Sequence, residues 1–373
     1  MIELKNVTKI YPGQSVPAVK DLTLTIQEGQ TCVFVGPSGC GKSTILRMIN
    51  RMIEQTSGTI LIDGEDVLEK DPDKLRMGIG YVIQQIGLLP HRTVAENVAI
   101  VPRLYGWSKK EITKRIDELL ELVGLDPGET RDKYPAQLSG GQMQRVGVAR
   151  AMAVDPPIML MDEPFGAVDP IVRNHLQDEF LRLQKEMKKT ICFVTHDINE
   201  AIKMGDTIAI FDIGVLVQHG TPQDILSNPV NEFVSDFIGH DRVVKKLTLF
   251  QVSDIASNSP CIVRENELAN IGQKMQDEKA LVSILVNGAG VPCGLIAAQD
   301  LEAANGASPE RLKEIALSKR GAFVDGTELL TDALSQMLEW GTEYLGVMRG
   351  NEIGGVLSMA DIRGCASHKE GES

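Results

Sequence analysis

The sequence predicts an α/β P-loop nucleotide-binding domain followed by a smaller α+β unit built from an internal repeat. Three observations carry that expectation. Gly36-Pro37-Ser38-Gly39-Cys40-Gly41-Lys42-Ser43-Thr44 fits the G-x-x-x-x-G-K-[ST] phosphate-binding loop and lies between an apolar strand pattern and a helical pattern. Ile158-Met159-Leu160-Met161 is a second apolar strand that ends in two carboxylates, Asp162 and Glu163. Beyond Val252 the pattern Gly294–Leu301 returns as Gly355–Ile362. At 373 residues the chain has room for two domains, each with its own core.

In a P-loop, Gly39 and Gly41 let the backbone approach phosphate closely, and successive N–H groups with the helix N-terminus supply partial positive charge. Lys42 then neutralises the β- and γ-phosphates, and the Ser43 hydroxyl ligates Mg²⁺. A plain Gly-rich turn with a solvated lysine is the competing reading, and the flanking strand Thr31–Val35 and helix from Ile45 weigh against it.

The net charge of −13 argues against a general nucleic-acid binder, although an acidic total is compatible with a local basic patch. No signal-peptide pattern opens the sequence, which is charged from Glu3 and Lys5 onward. Cys32, Cys40, Cys192, Cys261, Cys293 and Cys365 form no C-x-x-C pair and read as reduced thiols of a cytoplasmic protein. The uncharged stretch 280–299 approaches membrane-spanning length, but Asn287-Gly288-Ala289-Gly290 and Pro292 break it into two buried strands and a turn.

In chain order, residues 2–7 and 21–26 alternate apolar and polar positions, as antiparallel strands with one buried face do. Tyr11, between them, suits either stacking on an adenine ring or a half-buried loop position. Residues 58–64 and 80–84 are short strand patterns. Ser108-Lys109-Lys110-Glu111 is a capping box that opens a helix with Ile112, Ile116, Leu119, Leu120 and Val123 on one face. Leu138-Ser139-Gly140-Gly141-Gln142 opens another helix, predicted through Ala153. A serine and two glycines at a helix start form an anion-binding arrangement, and also a common turn. A strand ending in acids places them where open α/β sheets bind ligands: Asp162 is the candidate Mg²⁺ holder and Glu163 the candidate base for an attacking water. The strand Thr190–Val194 ends at Thr195-His196-Asp197, which puts His196 either beside the same phosphate or in a capping position.

The order P-loop, Gln84, Leu138–Gln142, Ile158–Glu163, Gly166-Ala167-Val168-Asp169, His196 resembles the ATP-binding cassette of ABC transporters, over about residues 1–240. The resemblance implies a mixed sheet core, an antiparallel β subdomain and a helical subdomain. It implies a homodimer of cassettes sandwiching two ATP, each between the P-loop of one copy and the signature Ser139, Gly140, Gly141, Gln142 of the other. On that pattern Tyr11 stacks on adenine, Gly36 through Thr44 hold the phosphates, and Gln84 touches Mg²⁺ and water. Glu163 is the base, Asp169 crosses the dimer, and His196 senses the γ-phosphate. Leu88-Leu89-Pro90-His91 would meet a membrane partner; Val168 stands where leucine is commoner.

Residues 162–170, 193–198 and 233–242 are similar to the osmoprotectant importer branch, whose substrates include glycine betaine, carnitine and choline. That implies an ATPase peripheral to the cytoplasmic face of the membrane, working with integral permease subunits and an extracytoplasmic substrate-binding protein or domain. An importer of an amino acid or polyamine, or a soluble non-transport ABC ATPase, is the alternative. After a linker at 241–252, repeats at about 253–305 and 315–366 resemble a tandem CBS module, followed by a tail at 367–373. CBS pairs of this kind can hold an adenine nucleotide such as cyclic di-AMP or respond to ionic strength, and a dimerisation module with no ligand is the competing reading. Ser358 and Asp361 keep the hydroxyl-three-before-aspartate spacing of ribose-binding versions, whereas Ala297 replaces the hydroxyl in the first repeat.

Overall fold

The computed structural model describes residues 1–83, 87–166, 168–257, 260–304 and 306–367. It divides into a unit spanning Met1–Ile238 and a second beginning at Gly239. Gln84, Ala167 and residues 368–373 lie outside the described residues.

In the first unit, β1 (Ile2–Lys9), β2 (Val19–Ile26), β4 (Ser57–Ile62) and β5 (Glu65–Asp66) form a four-stranded antiparallel sheet in the order β2-β1-β4-β5. Alternation along β2 buries Val19, Leu22, Leu24 and Ile26 and leaves the intervening residues to solvent, as a sheet with one covered face requires. The second sheet has the order β10-β9-β3-β8-β7-β6, from β3 (Thr31–Val35), β6 (Ile79–Val82), β7 (Ile158–Asp162), β8 (Thr190–Val194), β9 (Thr207–Asp212) and β10 (Val215–Gly220). Its strands are parallel except β10, which turns back along β9 as an edge. β3, β7 and β8 are buried at every position, so their unbroken apolar runs reflect cover on both faces. One core joins the two sheets, with Phe34 and Phe211 packed edge to face at 5.5 Å between ring centroids. Each such fully buried ring contributes roughly 1.5–3 kcal/mol, which anchors the strand feeding the P-loop.

The helix Lys109–Leu122 starts at the capping box of Ser108 and Glu111 and buries Ile112, Ile116, Leu119 and Leu120. The helix Gly140–Ala151 starts at Ser139, whose hydroxyl accepts from the Gln142 N–H while the Gln142 side chain accepts from the Ser139 N–H. It ends two residues before the predicted Ala153.

The second unit holds two three-stranded sheets of one topology. In each, the first strand is parallel to the second and the third antiparallel to it: β11 (Cys261–Arg264), β12 (Val282–Val286), β13 (Pro292–Ala297), then β14 (Phe323–Asp325), β15 (Tyr344–Arg349), β16 (Glu352–Ser358). The uncharged stretch 280–299 is thus two strands and a turn, and among the described residues no helix is long and apolar enough to cross a membrane.

The expectation of a linker at 241–252 is corrected here. Arg242–Leu247 is a helix, and Leu247 and Val252 are 2% and 0% exposed inside the second unit's core. The first repeat also begins later than 253. Val252 and Ser253 donate to the carbonyls of Glu328 and Gly326, and Ser257 bridges Val356, so this segment completes the second repeat. The apolar side chains of a short segment were needed to close that repeat's core, and they pulled the backbone into it.

Candidate functional site

The C-terminal end of β3 delivers the chain directly into the P-loop and then into the helix Lys42–Ile49. Gly41 has φ +100°, and a Cβ there would run into the Ala18 carbonyl, so only glycine lets the loop pack against β2's approach. Gly39, at φ +82°, faces open space on the cavity side. Lys42 is 6% exposed. Its ammonium donates to the carbonyls of Gly36 (2.7 Å) and Pro37 (2.9 Å) and to Cys40 Sγ (3.5 Å), bracing the loop from within. Burial pushes the Cys40 thiol up, against the pull of the Lys42 charge.

A cavity of about 890 Å³ opens over this loop. Tyr11, Ser38, Lys42, Ser43, Thr44 and Glu163 line it. The Tyr11 hydroxyl shares a hydrogen bond with Thr44 Oγ1 at 3.3 Å, and the Lys9 ammonium lies 5.4 Å from the ring centroid. Val16 and Ile213 complete the wall at 63% and 74% exposure; sequence reasoning did not single them out. Ile213 holds φ +42°, costly for a β-branched residue, in the turn between β9 and β10. The only sequence signal was Gly214 after it, which marks a turn and no ligand.

β7 runs next to β8, and the two ends bring the acids to the P-loop. Asp162 is 3% exposed, and Ser43 Oγ donates to its Oδ1 at 2.9 Å. Burial pushes the Asp162 carboxyl up, with the Ser43 hydrogen bond opposing. A hydroxyl and a buried carboxylate side by side are the hard oxygen donors Mg²⁺ takes. Mg²⁺ is held by one or two such protein oxygens together with substrate phosphate and water. The residues therefore fit Mg²⁺ bound together with a nucleotide.

Glu163 follows in the left-handed region, φ +48°. Its N–H donates to the Val194 carbonyl at 3.0 Å, and its Oε1 lies 3.2 Å from His196 Nδ1. The structure thus joins Glu163 and His196, which are 33 residues apart in sequence. Non-glycine residues held at positive φ cluster at functional sites.

Ser139, Gly140, Gly141, Gln142 and Asp169 are not among the residues lining that cavity. Ser139 and Gly140 instead sit exposed at the N-terminus of the helix Gly140–Ala151, with Gly141 and Gln142 half-buried behind them, and a Cβ on Gly140 would meet nothing within 4 Å. Asp169 precedes the helix Pro170–Met187 and is exposed. Residues 89–93 are pinned by Asn97, fully buried, which accepts from the Leu89 N–H and shares its two amide hydrogens among the carbonyls of Leu89, Arg92 and Thr93.

A P-loop and paired acids occur in many folds; here they are joined by a Ser-Gly-Gly helix start that lies outside the chain's own P-loop cavity. A family model described as ABC transporter matches residues 19–166. The carnitine transport ATP-binding protein OpuCA of Listeria monocytogenes serotype 1/2a (strain 10403S) is 44% identical over 365 residues, covering 97% of this chain and 91% of that protein. The chain belongs to the ATP-binding subunits of osmoprotectant ABC importers. The glycine betaine/carnitine/choline transport ATP-binding protein OpuCA of Bacillus subtilis (strain 168) is 42% identical, over 97% of this chain and 95% of that one. Among solved structures, the dimeric post-hydrolysis state of the ATP-binding cassette MJ0796, bound to ADP and Pi, matches with TM-score 0.56 and 38% identity, over 60% of this chain and 99% of that one. This osmoprotectant-importer cassette is an ATP-binding, ATP-hydrolysing subunit coupled to import.

The same geometry yields a stability prediction. A raised Asp162 pKa means the ionised carboxylate costs the nucleotide-free chain stability above the ordinary carboxylate range, and the cost vanishes below it. Asp162→Asn keeps an oxygen for Ser43 and removes the charge. The melting temperature of the nucleotide-free variant is expected to exceed wild type at pH 7, with the gap closing as pH falls, while Mg²⁺-dependent hydrolysis is lost. A melting temperature at or below wild type at pH 7 would contradict it.

In the second unit, Ser358 Oγ donates to Asp361 Oδ2 (2.6 Å), which also accepts from the Ser358 N–H (2.8 Å), and the Asp361 N–H donates back to Ser358 Oγ (3.1 Å). The pair caps the helix Met359–Ser367. In the first repeat Asp300 accepts from the Ala297 N–H and forms an ion pair with Lys319 at 2.7 Å.

Proposed function

We propose that the chain powers uptake of a quaternary-ammonium osmoprotectant such as glycine betaine, carnitine or choline, from the cytoplasmic face of a membrane, as a homodimer docked on integral permease subunits supplied by an extracytoplasmic substrate-binding protein. The observation that carries the two-copy site is the exposure of the signature helix start away from the chain's own P-loop cavity. A second copy, head to tail, would bring its Ser139 and Gly140 N–H groups onto the γ-phosphate held at Lys42. The substrate class rests on relatives that match nearly the whole chain.

In this reading Lys42 exchanges its carbonyl partners for phosphate oxygens, Ser43 and Asp162 hold Mg²⁺ with Gln84, and Tyr11 stacks on adenine. Mg²⁺ supplies neutralisation of the charge developing on the transferred phosphoryl group. Glu163 takes the proton of the attacking water, and His196, held against Glu163, registers the γ-phosphate. Asp169 reaches across the dimer.

The duplicated second unit fits a tandem CBS module that tunes the cassette, supported by two sheets of one topology. An adenine nucleotide such as cyclic di-AMP there would have to compete with the helix cap for Ser358 and Asp361.

The test is uptake of labelled glycine betaine at high osmolarity in cells with and without this chain. Uptake is expected to fall to background without it, with carnitine and choline as competitors in the complemented cells. Unchanged uptake would remove the substrate assignment and leave the ATPase intact.

A further inference from the structure

We propose that Gln144 is a positioning residue for Glu163, tying the signature helix to the carboxylate that serves the chain's own nucleotide. Gln144 lies on the helix Gly140–Ala151, five residues beyond the Ser139 cap, and is 2% exposed. Its Nε2 donates to the Glu163 carbonyl at 3.3 Å, an oxygen that also accepts from the Gly166 N–H at 3.2 Å. Glu163 needs such bracing because its backbone sits at φ +48°, where relaxation would rotate the carboxylate away from His196.

The other end of the amide makes the case. Gln144 Oε1 is buried and has no hydrogen-bond partner among the described residues. A leucine or methionine would fill this volume without burying an unpaired oxygen, so the position makes sense for its donor end. The helix is itself firmly placed: Arg145 Nη1 donates to the Gly124 carbonyl at 2.9 Å and Arg150 Nη1 to the Gly87 carbonyl at 2.7 Å. On the two-copy reading proposed above, on which this inference rests, the helix start faces the partner's nucleotide while Glu163 faces its own. A shift of the helix on closure then reaches Glu163 through Gln144, linking the two sites through one side chain.

The experiment is steady-state ATP hydrolysis by the full chain in a double-mutant cycle. Gln144→Leu is expected to lower kcat roughly 10- to 100-fold, as misplacement of a catalytic group does, with KM for ATP within about twofold of wild type. In a Glu163→Gln background the same change should lower the residual rate by less than about twofold, because the group it positions is already disabled. Gln144→Glu supplies a donor only when protonated, so its rate relative to wild type should climb as pH falls from about 8 to about 6. Wild-type kcat in Gln144→Leu overturns the proposal, as does an equal loss in both backgrounds, which a purely structural role would give. If Gln144→Leu does not fold, a flat pH ratio for Gln144→Glu overturns it. An inactive Glu163→Gln beside a fully active Gln144→Leu refutes only this inference; an active Glu163→Gln refutes it together with the base assignment.

Discussion

Lys42→Ala is expected to abolish ATP-driven turnover, with ATP affinity falling by at least roughly 10²-fold, since each charged hydrogen bond to phosphate is worth about 1.5–3 kcal/mol. The structure adds a second effect. The ammonium is buried and bonded to the Gly36 and Pro37 carbonyls; its removal strands the Gly36 acceptor inside the loop, while the Pro37 carbonyl keeps the Cys40 N–H at 3.3 Å. The variant should therefore lose about 1–3 kcal/mol of stability before any nucleotide is added. Calorimetric titration with ATP and a thermal melt without it check the two effects separately. Normal ATP affinity in a well-folded variant would remove Lys42 from the phosphate site.

Glu163→Gln is expected to separate binding from chemistry. The amide still reaches His196 Nδ1 and leaves the left-handed backbone and its bond to Val194 in place, so ATP should bind as before. It cannot take a proton from water, and hydrolysis should fall on the order of 10²–10⁴-fold. With Mg²⁺ and ATP present, the variant should accumulate as a closed dimer by size-exclusion chromatography, whereas the wild type cycles back to monomer. Wild-type turnover would take Glu163 out of the role of base.

The residues under these two predictions were legible in the sequence because their chemistry depends on local spacing. A P-loop needs Gly41 and Lys42 next to each other, and a strand ending in Asp162 and Glu163 declares its own edge. Pairing across the fold was harder to read. Nothing near His196 announces that its ring meets Glu163, and Val16 and Ile213 form the cavity wall from two turns with no motif. Gln144 was passed over because its signal is a buried amide oxygen without a partner, which only coordinates reveal. The supposed linker failed for a related reason: Leu247 and Val252 are too few to form a periodic pattern, and the sheet that buries them is encoded far downstream.

That last arrangement sets an order of events at the ribosome. The cassette's final helix is complete by Ile238, so the cassette can close while the remainder is still being made. The segment that follows cannot. Ser257 meets Val356, so the stretch around it waits through about 100 further residues, or roughly 5–20 s of synthesis, with Leu247 and Val252 unburied. A nascent chain halted between the two repeats would expose a finished ATPase beside a sticky, unpaired strap, and that is the stage at which a chaperone would have most to hold.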